Sequence, residues 1–169
     1  MKVNIALLTV TDTRTLKNDK SGSILVNKIS KAKHNLIERK ICKDNKKDIK
    51  KIIKKWLTKK KIDVIITTGG TGLTGRDITP EAIDEIADKH IPGFGEVFRT
   101  LSLKTVGTSS IQSRACAVLA KGKYIFALPG SSGGVTDAWD KILVHQLDIK
   151  VRGQYLVLEP LCLSHGKCL

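Results

Sequence analysis

The sequence predicts an α/β fold with a mostly parallel sheet. Apolar runs of buried-strand length alternate with amphipathic segments along the chain. Loops rich in Gly, Ser, Thr and Asp follow three of those runs. Alternation of this kind implies a sheet with helices on both faces. A length of 169 residues suits one domain, and 41% hydrophobic residues suffice for its core. No repeat, Pro/Ser-rich linker or low-complexity tract divides the chain, so residues 1–150 read as one domain and 151–169 as its tail.

The elements follow in order. Residues 3–11 hold Val3, Ile5, Ala6, Leu7, Leu8 and Val10, a buried strand and not a signal peptide. Ser21 is suited to cap a helix with Ile24, Leu25, Ile29 and Ala32 on one face. A weak strand is expected around residues 36–41. Asp44 or Asn45 caps the next helix, where Ile49, Ile52, Ile53, Trp56 and Leu57 form one apolar stripe. Residues 63–68 read as a strand. Thr79-Pro80-Glu81 marks a helix start, with Thr79 as cap and Pro80 at the first helical position, running to about Lys89. After a turn at 92–95, helices are expected over 96–103 and 111–121. Residues 124–128 form another buried strand, and a final helix covers about 136–147.

Net charge is +14, which ordinarily suggests nucleic acid or anionic lipid. Its placement changes that inference. Residues 1–61 hold 19 Lys+Arg against 5 Asp+Glu, whereas 62–169 hold 11 of each. The lysines of residues 46–55 occupy the faces left by the apolar stripe, without interleaved aromatics and with little arginine, which argues against nucleic acid. No run approaches the ~20 apolar residues that span a bilayer. Cys42, Cys116, Cys162 and Cys168 lack zinc-type spacing. Reduced thiols in the cytoplasm are expected, with Cys116 a small buried hydrophobe. His34, His90, His145 and His165 show no ligand spacing.

In a doubly wound sheet, ligands bind beyond the carboxyl ends of the strands. The loops at Thr11-Asp12, 68–77 and 129–134 all follow strands and should meet in one crevice. Gly69, Gly70, Gly72 and Gly75 fall within seven residues, a density that suits presenting backbone N–H groups to phosphate, with a helix start behind. The bland alternative is a tight strand-to-helix turn. Gly70-x-Gly72-x-x-Gly75 spells a dinucleotide fingerprint, but it follows a third strand and the helix begins later. A Walker loop fails for want of Gly-Lys-Ser/Thr. Asp77 in an anion-holding loop gains a purpose from a bridging Mg²⁺, or serves as a turn residue. Asp44 reads locally as a cap.

The run from Thr68-Gly69-Gly70-Thr71-Gly72 through Arg76-Asp77-Ile78-Thr79-Pro80-Glu81-Ala82 resembles the signature of the MoaB/Mog family of molybdenum cofactor biosynthesis proteins. So do Leu8-Thr9-Val10-Thr11-Asp12, Asp19-Lys20-Ser21-Gly22 and Leu128-Pro129-Gly130-Ser131. Residues 93–99 and 107–115 look closer to the MoaB branch. The resemblance implies a three-layer α/β/α sandwich that assembles as a trimer or hexamer, with other proteins of the same biosynthesis as further partners. It implies adenylylation of molybdopterin by Mg-ATP, with pyrophosphate release. On that pattern Asp77 and Asp44 are catalytic and hold Mg²⁺. Gly69, Gly70, Thr71 and Gly72 cradle phosphate, Thr11, Asp12 and Ser21 line the site, and Pro129, Gly130 and Ser131 face the pterin. The chain departs from the pattern at Ser131-Ser132-Gly133, where adenylyltransferase members usually carry a second proline or Asn/Gln. The alternative is a non-catalytic molybdopterin- or nucleotide-binding carrier on the same fold.

Overall fold

The computed structural model describes residues 2–147; the 151–169 tail, Cys162, Cys168 and His165 lie outside them. Six strands form one sheet in the order β2-β1-β3-β6-β5-β4. They are β1 (Asn4–Val10), β2 (Asn35–Cys42), β3 (Val64–Thr68), β4 (Lys89–His90), β5 (Cys116–Ala120) and β6 (Lys123–Leu128). β2, β1, β3 and β6 are mutually parallel, whereas β5 and β4 continue the sheet antiparallel.

Alternation along the strands divides the core into two layers. Ile5, Leu7, Val64, Ile66, Phe126 and Leu128 point to one face, where they meet α1 (Lys20–Lys31), α4 (Pro92–Val106) and α5 (Ser132–Ala138). Ala6, Leu8, Ile65, Ile125 and Ala127 point to the other, beneath α2 (Lys46–Leu57) and α3 (Thr79–Asp84). The stripe read from the sequence is the buried side of α2: Ile49, Ile53 and Trp56 are fully enclosed. A π-turn at Trp139–Leu143 carries α5 into α6 (Val144–Gln146). Among the described residues, no helix is long and apolar enough to cross a membrane.

Several local expectations are corrected, and the choice of cap for α2 is settled. Asp19, not Ser21, caps α1, accepting from the Gly22 N–H at 2.9 Å. Asn45 caps α2, accepting from the Lys47 and Asp48 N–H groups, so Asp44 is released from that role. α3 ends at Asp84, and its cap position is Ile78, with no side-chain bond. Lys89, expected as the helix end, lies in β4. Finally, 111–121 is not helical. A 3-10 segment (Gly107–Gln112) precedes β5, and α4 already starts at Pro92, not at 96. The alanines of β5 suggested helix, but pairing to β6 overrides so weak a propensity. Lys121 and Gly122, at φ 47° and 71°, form the tight connection between β5 and β6.

Asn45 caps an otherwise lysine-rich helix, and replacing such a cap costs about 1 kcal/mol. Asn45→Ala is therefore expected to lower unfolding free energy by about that amount, read as a reduced midpoint in urea denaturation with an unchanged slope.

Candidate active site

The carboxyl ends of β1, β2, β3 and β6 open on one cleft of about 400 Å³. Thr11, Asp12 and Arg14 enter from the loop after β1, Ser21 from α1, and Asp44 from the end of β2. Gly69, Gly70, Thr74, Arg76 and Asp77 come from the loop after β3, and Gly130 and Ser131 from the loop after β6. The three loops singled out in the sequence do converge, and the β2 loop joins them. Thr71, Gly72 and Pro129 stand outside this lining, directly behind it.

The glycine loop has the shape its composition suggested. Gly69 and Gly70 have φ of +100° and +66°, a region costly for residues with a Cβ. A Cβ on Gly69 would run into the Val10 carbonyl, and one on Gly70 would lie 2.9 Å from both Asp44 carboxylate oxygens. The loop is clamped by its neighbours. Gly69 N–H donates to Leu128 O at 3.0 Å, and Thr79 Oγ1 donates to Gly69 O at 2.9 Å. Thr68 Oγ1 donates to Pro129 O at 2.8 Å. Ser131 caps α5 by accepting from Gly134 N–H at 3.1 Å.

The two acids occupy different environments. Asp77 accepts from Thr74 N–H at 3.0 Å and Thr74 Oγ1 at 2.5 Å. Burial acts to raise its pKa, but these bonds, one from Gly72 N–H and the Arg114 charge hold it below the ordinary value. Asp44 accepts from Ile78 N–H at 3.3 Å, at the entry to α3. Its own N–H donates to Asp12 Oδ1 at 3.1 Å. Burial, then the charges of Asp77 and Asp12, push its carboxyl above the ordinary range.

Among the described residues, no three His, Cys, Asp or Glu side chains come together as a metal cage. Mg²⁺ does not require one, because it usually binds through one or two carboxylates plus substrate phosphates and water. Two acids facing one cleft, one of them destabilised by the charge of the other, fit that mode.

The sequence alone assigned no site role to several further residues. Arg14 reaches across the cleft, donating from Nη1 to Gly130 O at 3.2 Å and Ser21 Oγ at 3.4 Å. Arg76 lines the cleft, and Arg114 braces the glycine loop from behind. Asp19, fully enclosed, ties β1 to α1 by accepting from Thr9 Oγ1 at 2.6 Å and Arg39 Nη2 at 2.9 Å. Burial above all pushes the Cys42 and Cys116 thiols up to about 12 and about 11, disfavouring their thiolates. Both are partly buried, Cys116 less completely than expected.

Comparison with known proteins decides the family. The probable molybdopterin binding domain family matches residues 6–148. The chain belongs to this family. It is 41% identical over 148 residues to molybdenum cofactor biosynthesis protein B of Escherichia coli K12, covering 88% of this chain and 87% of that protein. A crystal structure of a molybdenum cofactor biosynthesis protein B superposes with a TM-score of 0.85 at 40% identity, covering 87% of this chain and 92% of the other. The tungsten cofactor synthesizing protein MoaB from Pyrococcus furiosus gives 0.76 at 33% identity, with coverage of 84% and 91%. The mostly parallel three-layer architecture is thus the family's, and molybdenum cofactor biosynthesis is the process to which the chain belongs.

Because the Asp44 pKa is raised on folding, its ionisation costs stability. That cost is absent below the unfolded pKa and complete above the folded one. Asp44→Asn is therefore expected to raise the melting temperature at pH 7 without added cation. The gap to the unsubstituted protein should close as the pH drops below about 4, as read by circular dichroism melts.

Proposed function

We propose that this protein adenylylates molybdopterin, using Mg-ATP and releasing pyrophosphate. The observation that carries the reading is the convergence of the two-glycine turn, Arg14, Arg76 and the paired acids Asp44 and Asp77 on one cleft. In this reaction the terminal phosphate oxygen of molybdopterin attacks the α-phosphorus of ATP. The bond from that phosphorus to the bridging oxygen breaks, and its electron pair leaves with pyrophosphate. Such transfer depends on in-line positioning and charge neutralisation, and needs no nucleophilic side chain.

The chain's groups divide this work. Gly69 and Gly70 bring the backbone close enough to receive phosphate. Arg14 and Arg76 supply positive charge, Arg14 by exchanging the Gly130 carbonyl for a phosphate oxygen. Thr11, Asp12 and Ser21 line the β1 side, while Gly130 and Ser131 offer the other wall to the pterin, with Pro129 behind. Asp44 and Asp77 would hold Mg²⁺, which when bound neutralises charge on the phosphates. Occupation would also relieve the repulsion that raises the Asp44 pKa.

A turnover assay with molybdopterin, ATP and Mg²⁺ tests the reading by pyrophosphate release. Asp77→Asn and Asp44→Asn are each expected to lower the rate by about 100-fold or more while AMP binding stays measurable, the scale of losing one electrostatic contact in a transition state. Full activity in either variant removes its metal role. Binding without turnover in the unsubstituted protein favours the carrier reading.

The homo-oligomer is part of the same proposal. Val97, Leu103, Val106 and Ile111 are exposed along α4 and the 3-10 segment, with Ile111 77% accessible. An apolar surface of this kind is suited to association. Light scattering after size exclusion should give the mass of a trimer or hexamer, and Ile111→Asp should shift it toward the monomer.

A further inference from the structure

Arg114 does not line the cleft, yet it makes four contacts with the segment that builds it. Its backbone N–H donates to Thr71 O at 3.1 Å. Nε donates to Gly72 O at 2.7 Å and Nη2 to Asp77 O at 2.6 Å, while Nη1 pairs with the Glu81 carboxylate. The guanidinium is half-buried, and its planar fork reaches two carbonyls and a carboxylate at once.

A trans peptide is planar, so its C=O and the following N–H point in opposite directions. The Thr71 carbonyl accepts from the Arg114 backbone N–H, a bond independent of the side chain. The Asp77 carbonyl faces Arg114, and the N–H beyond it, of Ile78, donates to Asp44. Asp44 is thus held through a peptide plane whose opposite edge rests on the Arg114 guanidinium. Elsewhere in the loop, direct backbone bonds are few: Gly69 N–H to Leu128 O, Asp77 N–H to Thr74 O and Thr79 N–H to Gly70 O, each at 3.0 Å.

We propose that Arg114 is a positioning residue of this site, its guanidinium turning the 77–78 peptide so that the Ile78 N–H aims the Asp44 carboxylate into the cleft. Its catalytic consequence rests on the reaction proposed above, whereas its structural consequence does not. Lysine retains the charge but not the fork, so it cannot hold both carbonyls.

Amide hydrogen exchange tests this in the full-length protein. In Arg114→Lys, exchange at Ile78 should be about tenfold faster or more, the scale of a lost hydrogen bond to a charged group. Leu7 in β1 and Phe126 in β6 should keep their rates. Pyrophosphate release should show a lowered kcat with KM for ATP within about twofold, since positioning and not binding is lost. Unchanged exchange at Ile78 overturns the proposal, as does an increase spread equally over the sheet. A measurement without substitution guards against a misfolded variant: the Arg114 Nε–H should be protected from exchange, and exchange at the rate of a free guanidinium overturns the proposal. If the unsubstituted protein releases no pyrophosphate, the proposed reaction fails, and the amide rates alone still decide the role of Arg114.

Discussion

The placement of β1 between β2 and β3 is the constraint on which the site depends. Both β2 and β3 pair with it in parallel, with Leu7 opposite Arg39 on one side and Ile66 on the other. The chain therefore winds outward from β1 in one direction to reach β2, then crosses back to the opposite side for β3. The loops leaving β1 and β3 diverge toward opposite faces of the sheet, and a crevice opens between them. Its floor is not adjustable. Strand registry fixes the heights of Val10 and Thr68, and Gly69 must pass within contact of the Val10 carbonyl. A glycine at that point follows from geometry before any ligand is considered.

The long elements were legible because their burial is periodic. β1, β3 and β6 alternate between two core layers, and the α2 stripe buries as its spacing implies. Short elements were less legible. Cys116 to Ala120 has helix-forming alanines, and its strand character comes from a neighbour contiguous through Lys121-Gly122, a hairpin signal of only two residues. α3 was overextended because the residues after Asp84 keep a polar mix compatible with helix. At the site, the loops were visible as composition, whereas the roles of Arg14, Arg76 and Arg114 were not. An arginine reaching across the fold leaves no periodicity in its own segment.

The charge distribution also takes a definite form. Several of the early lysines are committed to acids: Lys46 and Lys50 to Glu85, and Lys59 to Glu38. These pairs are largely exposed and contribute little individually. They nevertheless stitch α2 to the segment after α3, and Lys59 to β2. The cleft itself mixes two arginines with three aspartates. A strongly basic protein thus keeps a cleft of mixed charge, with directed groups in place of a general positive field.

The reversal of β5 has a consequence for how the chain can reach its own loops. In a sheet of parallel strands, every segment entering a strand lies at the amino edge, far from the crevice. β5 runs the other way, and Cys116 stands opposite Ala127, next to the end of β6. The residues immediately before it are therefore delivered to the ligand side of the sheet. A doubly wound domain that borrows one inverted strand gains a buttress there, drawn from sequence about 40 residues downstream of the loop it supports.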